Sequence, residues 1–222
     1  MIMIFVTGDT HGHIDYEKLL KLKELNLSYD DYLLICGDAG IVRSEDTLEY
    51  YLDLYNDIGC TIIFVDGNHE NFDLLNTFTL VEYHGAFMHQ IDQHIFHVLR
   101  GEIMVIDNLS FLCVGGAVSI DKMYRTPHLS YWKDEEITFH DVDNALYNLE
   151  KFNNKVDYVL THCVDTHTVN KVFGLKRDVC TDQLIFIDKV VEYKHWYFGH
   201  YHHDYKINEK KTCLYQNIVR IK

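Results

Sequence analysis

The stretch Ile2-Met3-Ile4-Phe5-Val6-Thr7-Gly8-Asp9-Thr10-His11-Gly12 sets the fold class. Its first six residues are apolar or β-branched and predict a strand over Ile2–Thr7. A polar, glycine-flanked turn follows at once. The same sentence is written twice more. Tyr32–Cys36 predicts a second strand and runs into Gly37-Asp38-Ala39-Gly40, and Thr61–Val65 predicts a third and runs into Asp66-Gly67-Asn68-His69-Glu70. Helical patterns fill the intervals. Asp15–Leu27 carries Leu19, Leu20, Leu22 and Leu25, and Ser44 is a fitting N-cap for Thr47–Ile58, with Leu48, Tyr51, Leu52 and Tyr55 at helical spacing. Strand, loop and helix in repetition predict an α/β layered fold. Further strands are predicted at Ile103–Ile106, Phe111–Val114, Val156–Leu160 and Trp196–Phe198, within or after a meander over Val81–Gly115. Helices are predicted over Asp134–Phe152 and Asp182–Tyr193, and a terminal hairpin over Asp204–Val219 around Asn208-Glu209-Lys210. Ala117–Lys133 has no period and reads as a functional surface loop.

The 222 residues suffice for a sizeable core, and with Pro127 the only proline and no Ser/Gly tract there is no linker, so one domain over 1–222 is expected. A hydrophobic share of 47% and a charged share of 24% exclude a disordered chain. No run of 18 apolar residues predicts a membrane span, and the N-terminal stretch lacks the basic flank of a signal peptide. The cysteines Cys36, Cys60, Cys113, Cys163, Cys180 and Cys213 are scattered without zinc-finger spacing, which predicts buried reduced thiols and a cytoplasmic location. Lys and Arg number 20 against 34 Asp and Glu, a formal charge of −14 that opposes nucleic acid and anionic membrane as partners. Fifteen histidines beside so many carboxylates direct attention to metal binding.

The polar residues cluster where strands end. Gly8-Asp9-Thr10-His11, Gly37-Asp38, Gly67-Asn68-His69-Glu70, Thr161-His162-Cys163 and Gly199-His200-Tyr201-His202 each follow a predicted strand directly. In an open α/β sheet, sites form beyond the carboxyl ends of the strands, so the five segments are expected on one rim. Asp9 and His11 are two apart, as are His200 and His202, and an extended exit would place each pair on one face. Imidazole with carboxylate suits Mn, Fe, Zn, Ni or Co better than Ca or Mg. Each segment alone is an ordinary turn. Five of them in order are not.

At these residues the sequence resembles the calcineurin-like metallophosphoesterases, whose motifs run Asp-x-His, Gly-Asp, Gly-Asn-His-(Asp/Glu), His and Gly-His-x-His. All five are present between Asp9 and His202. The resemblance implies a four-layer α/β/β/α sandwich with the site at one edge. It implies two divalent metal ions per chain, manganese foremost. One would be held by Asp9, His11 and His202, the other by Asn68, His162 and His200, with Asp38 bridging. It implies that His69 contacts the phosphate and serves as general acid, and that Asn68 adds a neutral oxygen facing the substrate. The implied reaction is phosphoester hydrolysis by in-line attack of a metal-bridging hydroxide. Outside the motifs, Arg125 in the aperiodic loop is suited to a phosphate oxygen, His13 is a candidate to back the ligands or touch substrate, and Asp165 and His167 are candidates to line the cleft.

Within that family, protein phosphatases carry Gly-Asp-x-x-Asp-Arg-Gly and an arginine before Gly-Asn-His. Here the arginine of the second motif, Arg43, is one position late, and Asp66 stands where the other arginine is expected. Both features, with the acidic balance, point away from protein phosphatases and nucleases and toward a small phosphomonoester as substrate. A phosphodiesterase acting on a nucleotide-type or cyclic-nucleotide substrate is the alternative. A non-catalytic binding module, as in one retromer subunit, is a further alternative, but such a module has no need of the intact His69 and ligand set. The sequence sets no oligomeric state.

Overall fold

The computed structural model describes residues 2–222. Its strands are β1 (Ile4–Thr7), β2 (Tyr32–Cys36), β3 (Thr61–Val65), β4 (Thr79–Tyr83), β5 (Ala86–Asp92), β6 (Ile95–Val98), β7 (Glu102–Ile106), β8 (Leu109–Val114), β9 (Lys155–Thr161), β10 (Glu192–Phe198), β11 (Tyr205–Lys206), β12 (Lys211–Cys213) and β13 (Ile218–Arg220). Its helices are α1 (Leu20–Lys23), α2 (Glu45–Asn56), α3 (Phe72–Leu75), α4 (Phe139–Lys151), α5 (Thr166–Thr168) and α6 (Val179–Asp188). One seven-stranded sheet has the order β13-β1-β2-β3-β6-β5-β4, and a six-stranded sheet has the order β11-β12-β10-β9-β8-β7. The central strands are parallel, β1-β2-β3-β6 in the first sheet and β12-β10-β9-β8 in the second.

Strands β1, β2 and β3 are buried on both faces, which is why they read as unbroken apolar runs rather than alternating ones, whereas β9 and β10 are buried only toward their carboxyl ends. In β1, Ile4 and Val6 enter the core between the two sheets while Phe5 faces the helices. Leu34 against Leu33 and Ile63 against Ile62 repeat the division. The inter-sheet core is completed by Phe111, Cys113, Leu160 and Tyr197 of the second sheet. Tyr51 and Tyr55 of α2 cover the first sheet, and Val142, Ala145, Leu149, Leu184 and Ile187 of α4 and α6 cover the second. The result is the α/β/β/α sandwich expected. All six cysteines are free and buried, as read from their spacing. Among the described residues no helix is long and apolar enough to cross a membrane.

Boundaries moved where tertiary bonds competed with periodicity. The helix expected over Asp15–Leu27 shrinks to a 3-10 turn at Tyr16–Leu19 and the short α1, because Leu20 and Leu25 point to solvent and leave Leu19 and Leu22 as its only buried leucines. The helix expected from Asp134 starts at Phe139, where Thr138 and Asp141 cap each other in a box. The helix expected over Asp182–Tyr193 runs instead from Val179, capped by Asp178, to Asp188, since residues from Glu192 onward pair with β9. The meander divides, with β4 to β6 joining the first sheet and β7 and β8 the second. The tail does form a hairpin, β11 with β12, but the chain then crosses to the first sheet as β13.

Candidate metal centre

The carboxyl ends of β1, β2, β3, β9 and β10 meet at one edge of the sandwich. Asp38 stands between two groups of side chains. Its Oδ2 lies 3.3 Å from Nε2 of His11 and 3.2 Å from Nε2 of His162. Its Oδ1 accepts the backbone N–H of His69 at 2.9 Å. On the His11 side, Asp9 Oδ1 lies 3.8 Å from His202 Nε2. On the His162 side, the ring nitrogen Nε2 also lies 3.2 Å from Oδ1 of Asn68, and the His162 and His200 rings meet edge to face at 4.9 Å. Asp9 with His11 and His202, and Asp38 with either His11 and His69 or Asp9 and His162, place donor atoms close enough to share an ion.

The turns are not extended. His11, Asp38, His200 and His202 all adopt left-handed backbone conformations, with φ of 44°, 50°, 68° and 48°. The two-residue spacing therefore does not act through a shared strand face. Each residue held this way costs about 1–3 kcal/mol, which the surroundings must offset. The glycines make room. A Cβ on Gly37 would lie 2.2 Å from Nδ1 of His162, and one on Gly67 would lie 2.1 Å from Oδ1 of Asp38. Side chains beneath lock the turns together. Glu70, fully buried, accepts the N–H groups of Ala39 and Gly67, both at 2.9 Å. Burial and the nearby Asp38 push its carboxyl up to about 8. Tyr55 donates toward Thr10 Oγ1 and the carbonyl of Ala39.

The imidazoles are oriented for ligation. His162 Nδ1 donates to the carbonyl of Cys36 at 2.8 Å, and His11 Nδ1 donates to Asp15 Oδ2 at 2.7 Å. Each bond fixes the ring so that Nε2 faces the cluster. Burial opposes a charge on either ring, yet Asp38 outweighs it, holding His162 at about 10 and His11 at about 9. Asp38 in turn is held well below the usual carboxylate range, with His162 overcoming its burial. Nitrogens 3.2–3.3 Å from carboxylate oxygens need a cation between them, a proton or a metal ion. Borderline nitrogen and oxygen donors in this number fit first-row divalent metals.

A cleft of about 350 Å³ opens over the cluster, lined by Asp38, Asn68, His69, Arg125, His200 and His202 among others. Arg125 reaches it from the aperiodic loop. Its Nη2 lies 3.2 Å from His69 Nε2, and its Nε pairs with Asp121 at 2.7 Å. Asn68 donates from Nδ2 to Ser119 at 3.1 Å, and Ser119 is held by the buried Glu135, so the Asn68 oxygen is turned toward the ligand cluster. Other candidates fall away from the cleft. His13 is exposed beside Tyr51, Asp165 is buried in an ion pair with Lys211, and His167 is exposed elsewhere. Asp66 does not present a carboxylate to substrate. It is buried and turned to Arg100 and His97, with Arg100 Nε donating at 2.9 Å. Ser119, Glu135, Asp15, Lys18 and Tyr215 were missed by the sequence reading. Only Asp15 carried a signal, its spacing of four from His11.

A family model described as calcineurin-like phosphoesterase matches residues 2–204. The chain belongs to that family and is a metal-dependent phosphoesterase. Among solved structures it is similar to the phosphopantetheinyl hydrolase of Mycobacterium tuberculosis, with 14% identity, 96% of this chain and 88% of that chain covered, and a TM-score of 0.49. No curated protein matches the sequence.

Proposed function

We propose that residues 1–222 form one catalytic domain that hydrolyses a small phosphomonoester. Two divalent ions, manganese foremost, would be held by Asp9, His11 and His202 on one side and by Asn68, His162 and His200 on the other, with Asp38 shared. Bound there, the ions supply charge neutralisation at the phosphoryl oxygens and an activated water. The chain's own residues do the remaining work. Arg125, the cation that the cleft lining brings beside His69, takes a phosphoryl oxygen. His69, held by its backbone bond to Asp38, delivers a proton from its ring to the leaving oxygen. Ser119 keeps the Asn68 oxygen turned inward. The observation that carries this reading is Asp38 Oδ2 at near-equal distances from His11 and His162.

The phosphomonoester preference is supported by the small cleft and by the −14 charge, which disfavours long polyanions. A metal-reconstituted panel of a phosphomonoester, a phosphodiester, cyclic nucleotides and a dinucleoside polyphosphate tests it. Preferred turnover of the monoester supports the reading. Preferred turnover of a diester or cyclic nucleotide overturns it in favour of a phosphodiesterase.

A further inference from the structure

The family match ends at residue 204, yet a residue beyond it supports one whole set of proposed ligands. Tyr215 lies in the crossing from β12 to β13. Its hydroxyl donates to Asp15 Oδ1 at 2.8 Å, and the other Asp15 oxygen accepts from His11 Nδ1 at 2.7 Å. Its ring stacks on His202, with centroids 4.9 Å apart and planes within 12°. Its carbonyl accepts from Lys18 Nζ, which also donates to the carbonyls of Gly8 and Asp9 at 2.8 and 2.6 Å. Through three different contacts, one residue thus bears on Asp9, His11 and His202.

Tyr215 is itself held in place. Asp204 accepts the N–H groups of Tyr215, Gln216 and Asn217 at 2.8, 2.9 and 3.0 Å. The other ligand set is supported elsewhere: His162 by the Cys36 carbonyl, and Asn68 by Ser119 and through it Glu135. The supports of His162 and Asn68 thus do not pass through Tyr215, and the two sets meet directly where the His200 N–H donates to the Asp9 carboxylate at 2.9 Å.

We infer that Tyr215 is a positioning residue for one of the two metal ions and not for the other, the ion held by Asp9, His11 and His202. The inference rests on the ligand assignment proposed above. Partners that orient a ligating imidazole typically account for a 10- to 100-fold change in metal affinity. Loss of the hydroxyl in Tyr215→Phe removes the 2.8 Å donor to Asp15 and leaves the 3.5 Å contact from Gln216 to hold that carboxylate against His11, while Tyr215→Leu also removes the stack on His202.

Calorimetric titration of manganese into the chelator-stripped chain tests this. Wild type is expected to take two ions. Tyr215→Phe is expected to weaken one of them by about 10-fold, and Tyr215→Leu by up to about 100-fold, with the second unchanged. Two ions in wild type with both weakened alike, or neither weakened, in Tyr215→Phe overturns the inference while leaving the ligand assignment standing. Fewer than two ions in wild type overturns the assignment and the inference together. Tyr215→Phe keeps the ring and its packing, so it keeps the test open should Tyr215→Leu fail to fold.

Discussion

Nη2 of Arg125 lies 3.2 Å from Nε2 of His69, and a guanidinium has only donors to offer. The contact leaves the His69 lone pair facing Arg125 and the ring neutral. Burial pushes the same way and, with Arg125 adding to it against the pull of Asp38, brings the imidazole down to about 4. A phosphate that draws Arg125 away replaces a cation beside His69 by an anion, and both changes favour a protonated ring. The two residues are thus expected to act in sequence. Arg125→Ala should lower kcat/KM by about 10- to 100-fold, the value of a hydrogen bond to a charged group, with bound metal unchanged. Wild-type kcat/KM in that variant would remove Arg125 from the reaction.

His69→Asn should keep both metal ions and lose about 10²–10⁴-fold in rate. The loss should be largest for an alkyl phosphate, whose leaving oxygen needs the proton, and smallest for a nitrophenyl phosphate. Metal analysis and a leaving-group series measure this. Alkyl phosphate hydrolysis at the wild-type rate would sink the general-acid role.

Asp38→Asn should lose metal and activity together, because its Oδ2 faces both His11 and His162. A ligand shared by two ions is expected to cost at least ~10²-fold in metal affinity, the upper end for residues that merely orient ligands. Elemental analysis after gel filtration reads the outcome. Full occupancy with Asp38→Asn would remove it from the bridging position.

His11 and His162 hold protons up to about 9 and 10 in the metal-free chain. Both values are raised, so at pH 7.5 both rings are charged and a metal ion must displace those protons. Manganese uptake at that pH should release about two protons per chain, read from the dependence of calorimetric heat on buffer ionisation. Apparent affinity should climb with pH until about 9 to 10. Uptake without proton release would place the ions elsewhere.

Asp66 is held well below the usual carboxylate range, with Arg100 and His97 overcoming its burial. The folded state keeps this carboxylate ionised to a lower pH than the unfolded chain does. Its contribution is therefore complete above an unfolded value of about 3.9 and is lost as pH falls through the folded value. Asp66→Asn should destabilise the chain at pH 7 by about 3–5 kcal/mol, the cost of leaving Arg100 buried without its partner. It should also flatten the fall in stability below pH 4. Urea melts between pH 2 and 7 measure both, and an unchanged acid slope would show that other carboxylates carry it.

The sequence by itself determined the layered fold and the ligands to test. Strands buried on both faces leave unbroken apolar runs, and the turns after them carry residues that a plain turn has no use for. Local chemistry writes such features in consecutive positions, so Asp9, His11, Asp38, Asn68, His69, His162, His200 and His202 were legible at once. The tertiary structure alone decided how those residues are held. The left-handed turns at His11 and Asp38 are set by bonds to distant backbone. The outward burial of Asp66 depends on Arg100, 34 positions on. The support of His11 and His202 by Tyr215 joins residues some 200 and 13 positions apart in the chain. Such pairs share no period and no motif. They exist because the last strand crosses from one sheet to the other and carries Tyr215 past the first turn, a route that pairing energies fix and residue spacing does not record.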